Sequence, residues 1–180
     1  MRRYRSCQGS LDSTQPVSER RCPLSETARI ADQLQRAFRG PAWHGDSLLE
    51  ILEGVTAAQA CARPIKHAHT IWELLLHVTA WDCAVRRRLA GEPVSLEGDK
   101  NFPPVMDTSE AAWRRALEHA KRAHDDLVTA VASFPDERLG DKVPGKSSEP
   151  DWYNFYYMLQ GVVQHELYHA GQIALLKKAR

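Results

Sequence analysis

The sequence predicts an all-α protein, a four-helix up-down bundle with one short extra helical segment. Two observations carry that reading. Apolar residues recur at helical spacing over four stretches of roughly 15–27 residues, and no strand-like alternation is sustained. Each stretch is also bracketed by residues that start or stop helices. A chain of 180 residues suits one domain, which at this size buries about 70% of its unfolded surface without a disulfide or structural metal.

The first helix is expected from about Ser25 to Arg39, with Ile30, Leu34, Ala37 and Phe38 on its apolar side and Gly40-Pro41 as its stop. Asp46 or Ser47 can cap a short segment containing Leu48, Leu49, Ile51 and Leu52, and a connection with Pro64 follows. Thr70-Ile71-Trp72-Glu73 has the form of a capping box. The helix it opens should run to about Ala90, with Ile71, Leu74, Leu75, Val78, Trp81, Val85 and Leu89 as its stripe. Caps among Asp107, Thr108, Ser109 and Glu110 start a long helix to about Phe134. Residues 135–150 read as loop, and Asp151 is expected to cap a last helix to about Lys178, where cations suit the C-terminal end. Residues 1–23 are polar and unpatterned, and read as a disordered leader ahead of a single domain at 24–180.

Composition excludes several classes. The formal net charge is +1, with no clustered basic face of the kind nucleic acid requires. The apolar runs fall short of the roughly 20 residues of a membrane span. Met1-Arg2-Arg3-Tyr4-Arg5 is basic, but no apolar segment follows to make a secretory signal. Cys7, Cys22, Cys61 and Cys83 form no C-x-x-C pair, and their scatter suits reduced thiols in the cytoplasm.

The strongest motif is His165-Glu166-Leu167-Tyr168-His169. Histidines four apart on a helix share a face and can reach one metal ion. The pattern H-E-x-x-H is the zinc-protease signature, with the glutamate as general base. A protease of that kind needs a third ligand. One extended motif continues with a glycine and then a third histidine, at positions held here by Gln172 and Leu175, and no Asp, Glu, His or Cys follows His169. Any third ligand must therefore lie upstream. His77, mid-helix among leucines, is the best candidate, and its bland alternative is a hydrogen-bonded core histidine. His124 stands behind it as a fourth ligand or an outer group. His44, His67 and His69 fall in loops or at helix entrances, and His119 on a solvated face. Glu166 is a candidate catalytic base or a residue that orients a ligand, weighed against a plain surface carboxylate. Trp81, Tyr168 and Gln172 can line a pocket, with packing as the simpler role.

The segment from Leu159 to Leu176, including His165-Glu166-Leu167-Tyr168-His169-Ala170-Gly171-Gln172, resembles the last helix of the DinB-like superfamily. Thr70-Ile71-Trp72-Glu73-Leu74-Leu75-Leu76-His77-Val78-Thr79-Ala80-Trp81 resembles that family's second helix. The likeness spans roughly residues 25–178. It implies a four-helix bundle, often homodimeric, that holds a divalent metal through one histidine of the second helix and two of the fourth, positions matched here by His77, His165 and His169. Related activities are metal-dependent hydrolysis of the YfiT type and transfer of low-molecular-weight thiols such as bacillithiol and mycothiol. Imidazole ligands suit nickel or zinc first, with iron or copper as further options. The expected partner is a small-molecule substrate or a small thiol, with no nucleic acid and no membrane. A metal- or ligand-binding bundle without turnover is the alternative.

Overall fold

The computed structural model describes residues 24–145, 150 and 152–179; the leader expected at 1–23 lies outside them. Among the described residues the chain is all-helical: α1 (Glu26–Arg39), α2 (Leu48–Leu52), α3 (Ala57–Cys61), α4 (Ile71–Leu89), α5 (Glu110–Ala132) and α6 (Phe155–Lys178), with two short 3₁₀ turns. Local sequence explains the boundaries. The Ser25 hydroxyl accepts from the Ala28 amide to open α1, and Gly40 closes it at φ 84°, a conformation that suits a residue without a Cβ. Thr70 and Glu73 form the expected reciprocal cap of α4, and the Glu73 carboxylate is further held by Arg63.

Three details differ from expectation. A second short helix, α3, is capped by Thr56 and Gln59, so the bundle carries two extra segments. The cap of α6 is Asn154 rather than Asp151, and Asp151 lies outside the described residues. The Tyr153 amide bonds to the Pro150 carbonyl, and the first amides of α6 bond to the Asp141 and Leu139 carbonyls, so the helix starts at Phe155.

The third concerns direction. The core divides into two apolar clusters. One gathers Phe38, Leu48, Trp72, Leu75, Trp113, Ala120 and Ile173; the other gathers Ile30, Leu34, Val85, Leu127, Phe155 and Leu159. Helix α1 runs from the second cluster to the first, α4 and α5 run from the first to the second, and α6 returns. The order is thus up-down-down-up. The alternation expected of an up-down bundle holds for α1 with α4 and for α5 with α6, but α4 and α5 point the same way. End contacts agree: Asp136, just beyond α5, accepts from the Glu26 and Thr27 amides at the start of α1, whereas Lys177 of α6 donates to the Ile51 carbonyl. Two parallel neighbours need a connection that runs back along the bundle. Residues 90–109 provide it and pass the middle of α4 on the way.

Between the two apolar clusters lies a polar level. On α4 it falls at residues 77–82, on α5 at His124 and on α6 at residues 165–169. Buried His77, Asp82, His124, Glu166 and His169 all sit there.

Candidate metal centre

His77 projects from α4, and His165 and His169 from successive turns of α6. Their ligand atoms lie within 4.8 Å of one another. His77 Nε2 is 3.0 Å from His165 Nε2, which is 3.1 Å from His169 Nε2. Two nitrogens each about 2.1 Å from one ion are about 3.0–3.4 Å apart at ordinary coordination angles, so these spacings fit a shared cation.

The outer contacts fix the tautomers. The crossover brings the Asn101 carbonyl to 2.7 Å from His77 Nδ1. A carbonyl only accepts, so Nδ1 carries the proton and Nε2 presents a lone pair. On α6, His169 Nδ1 lies 2.6 Å from Gln172 Oε1, and with the amide oxygen facing it the same tautomer follows. Two lone pairs therefore face His165 Nε2, which has at most one proton to offer. Hydrogen bonding among the three rings leaves a lone pair unmet, and a cation would meet all three. The second ring nitrogen of His165 is buried with no hydrogen-bond partner among the described residues.

Burial sets the charge. It pushes the pKa of His165 down to about 3, with the nearby His169 and His77 acting in the same direction. Burial also lowers His77 and His169, against the pull of Asn101 and Gln172. Neutral imidazole is the form that binds metal. The Phe102 ring stacks on His77 at 4.0 Å, and His69 stacks on the opposite side of Phe102 at the same distance, so the crossover walls one flank. Trp81 walls another and donates through Nε1 to Asn101 Oδ1. A small pocket opens at His165, lined by Trp81, Val85, Tyr153, Tyr157, Gly161 and Val162 among others.

The remaining candidates fall elsewhere. Glu166 is fully buried and faces away from the three rings, with Oε1 3.0 Å from His124 Nδ1. Asp82 completes that second group, its Oδ2 3.6 Å from the same nitrogen. Burial raises Asp82 and pushes Glu166 up to about 8, with the Asp82 charge adding to the rise. Burial opposes a charged His124, but the two carboxylates beside it outweigh that and raise it to about 9. Tyr168 is exposed, its ring 5.1 Å from His169. His119 is exposed, as the sequence suggested, and His44 lies in the loop after α1.

Sequence reasoning missed Asn101, Phe102 and Asp82. The contact made by Asn101 is through its backbone, which no residue type announces. Asp82 stands five residues after His77 on a buried helix, and a polar residue there was the available signal.

No helix among the described residues is long and apolar enough to cross a membrane. Comparison with curated proteins and with solved structures finds no match. The family model of the DinB superfamily matches residues 42–173, a span that includes all three converging histidines and more than two-thirds of the chain. An all-helical bundle with the polar level at its middle agrees with that match, and the chain belongs to the DinB superfamily.

Proposed function

We propose that this protein is a metal-dependent enzyme that transfers a low-molecular-weight thiol to an electrophilic small molecule, with His77, His165 and His169 as the metal ligands. One observation carries the reading: three Nε2 atoms converge at 3.0 and 3.1 Å while the other nitrogens of His77 and His169 are held by oxygen acceptors. Such an outer set fixes ligand orientation and basicity. A divalent ion bound by three neutral imidazoles keeps its full positive charge and favours the deprotonated form of a thiol or water beside it.

The chain's own residues favour thiol over water as the nucleophile. Hydrolysis calls for a residue that moves protons to and from the reacting oxygens. Glu166, the base expected from H-E-x-x-H, is enclosed and bonded to His124. The lining of the pocket beside His165 contains no carboxylate. Its aromatic and aliphatic walls suit an apolar electrophile. Tyr153 and Tyr157 are the hydroxyl-bearing groups there and can donate to a leaving group.

The test is a thiol-conjugation assay. Metal-loaded protein is mixed with a small thiol and an aryl or alkyl electrophile, and thioether is measured. The reading expects turnover that needs the metal and is lost in His77→Ala. Metal-dependent ester hydrolysis without thioether formation would return the protein to the hydrolases, and tight metal binding with neither reaction would make it a binding protein.

A further inference from the structure

We propose that Asp82, His124 and Glu166 form a second divalent-cation site, enclosed in the bundle and separate from the three histidines. One residue comes from each of α4, α5 and α6, and the ligand atoms lie within 4.8 Å of one another. His124 Nδ1 stands 3.0 Å from Glu166 Oε1 and 3.6 Å from Asp82 Oδ2. Those separations are close to what ligands of one ion show at bond lengths of about 2.0–2.2 Å.

Orphaned atoms supply the independent evidence. Asp82 is 1% exposed and Glu166 0%. Among the described residues neither Asp82 oxygen has a hydrogen-bond partner, and Glu166 Oε2 has none. Buried polar atoms are normally paired, and each orphan costs about 1–3 kcal/mol. Protons alone answer this poorly. A proton on His124 Nδ1 serves one close oxygen, and a second proton on Glu166, whose pKa is raised, neutralises the group but still leaves an Asp82 oxygen unmet. A divalent cation beside a neutral imidazole brings the group to zero charge and engages both carboxylates. It leaves His124 Nε2 as it is, without a partner among the described residues. The Phe38 ring, from α1, stacks on His124 at 4.1 Å and fixes its plane.

The donor sets of the two sites differ in kind. Three imidazoles suit zinc, nickel or copper, whereas two carboxylates with one imidazole suit a harder ion such as manganese(II) or iron(II). Full enclosure means that the ion enters as the bundle forms or during rare openings, so loading during synthesis is the appropriate condition.

The experiment counts metal. Full-length protein without an affinity tag is produced in medium supplemented with manganese and zinc, and divalent ions per chain are measured by mass spectrometry. The proposal expects about two ions in the wild type. It expects about one in Asp82→Asn, with manganese depleted, and about one in the double variant His165→Ala/His169→Ala, with manganese retained. Asp82→Asn preserves shape; if it does not fold, the double variant, which leaves the enclosed group intact, decides the matter. Equal counts in the wild type and folded Asp82→Asn would overturn the proposal, as would a metal-free double variant. Loss confined to the double variant preserves the three-histidine site alone, and loss confined to Asp82→Asn does the reverse.

Discussion

Replacing Gln172 with leucine tests whether the three-histidine arrangement is built for a metal. Gln172 Oε1 sits 2.6 Å from His169 Nδ1, and His169 is only 7% exposed, so little water is at hand to replace the amide. In Gln172→Leu the metal-competent tautomer keeps a donor with no acceptor, a cost of about 1–3 kcal/mol. The ring can escape by moving its proton to Nε2, where it points at the ion's position and opposes binding. Loss of such an outer contact typically weakens metal affinity about 10–100-fold, or about 1.4–2.7 kcal/mol, which agrees with the hydrogen-bond figure. Competition for zinc against a chromophoric chelator at neutral pH measures the change, and melting of the metal-free proteins checks that both are folded. Gln172→Glu, which keeps an acceptor, should restore affinity. A folded leucine variant that binds zinc within twofold of the wild type would refute the reasoning.

Further outcomes follow from packing and charge. Trp113 is 1% exposed and donates to the Val55 carbonyl at 2.7 Å, so Trp113→Phe should cost about 2 kcal/mol in urea unfolding; no change would show that the bond is not contributing. Gly161 lies within α6 and a Cβ there would meet no atom within 4 Å, so Gly161→Ala should stabilise by about 0.5–1 kcal/mol, and a lower melting temperature would contradict that. The Thr27 and Glu26 amides hold the Asp136 carboxyl below its ordinary 3.8. Its contribution is therefore fully present above that value and lost as pH falls through the lower folded value. Asp136→Ala should melt below the wild type at neutral pH, with the gap closing under strong acid; a gap constant with pH would count against this.

Features set by neighbouring residues were legible in the sequence. The Thr70–Glu73 cap, the apolar stripes and the His165–His169 spacing each depend on contacts within one turn. His77 was legible as a polar residue in a leucine-rich helix whose match lay elsewhere. The cap at Thr56 and Gln59 was present in the sequence as well, but a helix of 5 residues carries no apolar stripe to support it. The parallel course of α4 and α5 could not be read, because a connection of residues 90–109 is long enough either for a hairpin or for a return along the bundle. Once that return is made, it brings Asn101 and Phe102 to His77, and no local pattern encodes such a meeting. Glu166 shows the same limit from the other side. Its place in H-E-x-x-H suggests a base beside the ion, while its position around α6 turns it toward Asp82 and His124, which other helices supply.

The most direct test of the three-histidine centre is a crystal structure of the metal-loaded protein with anomalous data collected at the metal's absorption edge. An anomalous peak is expected about 2.0–2.3 Å from Nε2 of each of His77, His165 and His169, with Asn101 and Gln172 still bonded to the outer nitrogens of His77 and His169. Well-ordered rings with no peak between them would contradict it, as would a metal bound by only two of the three.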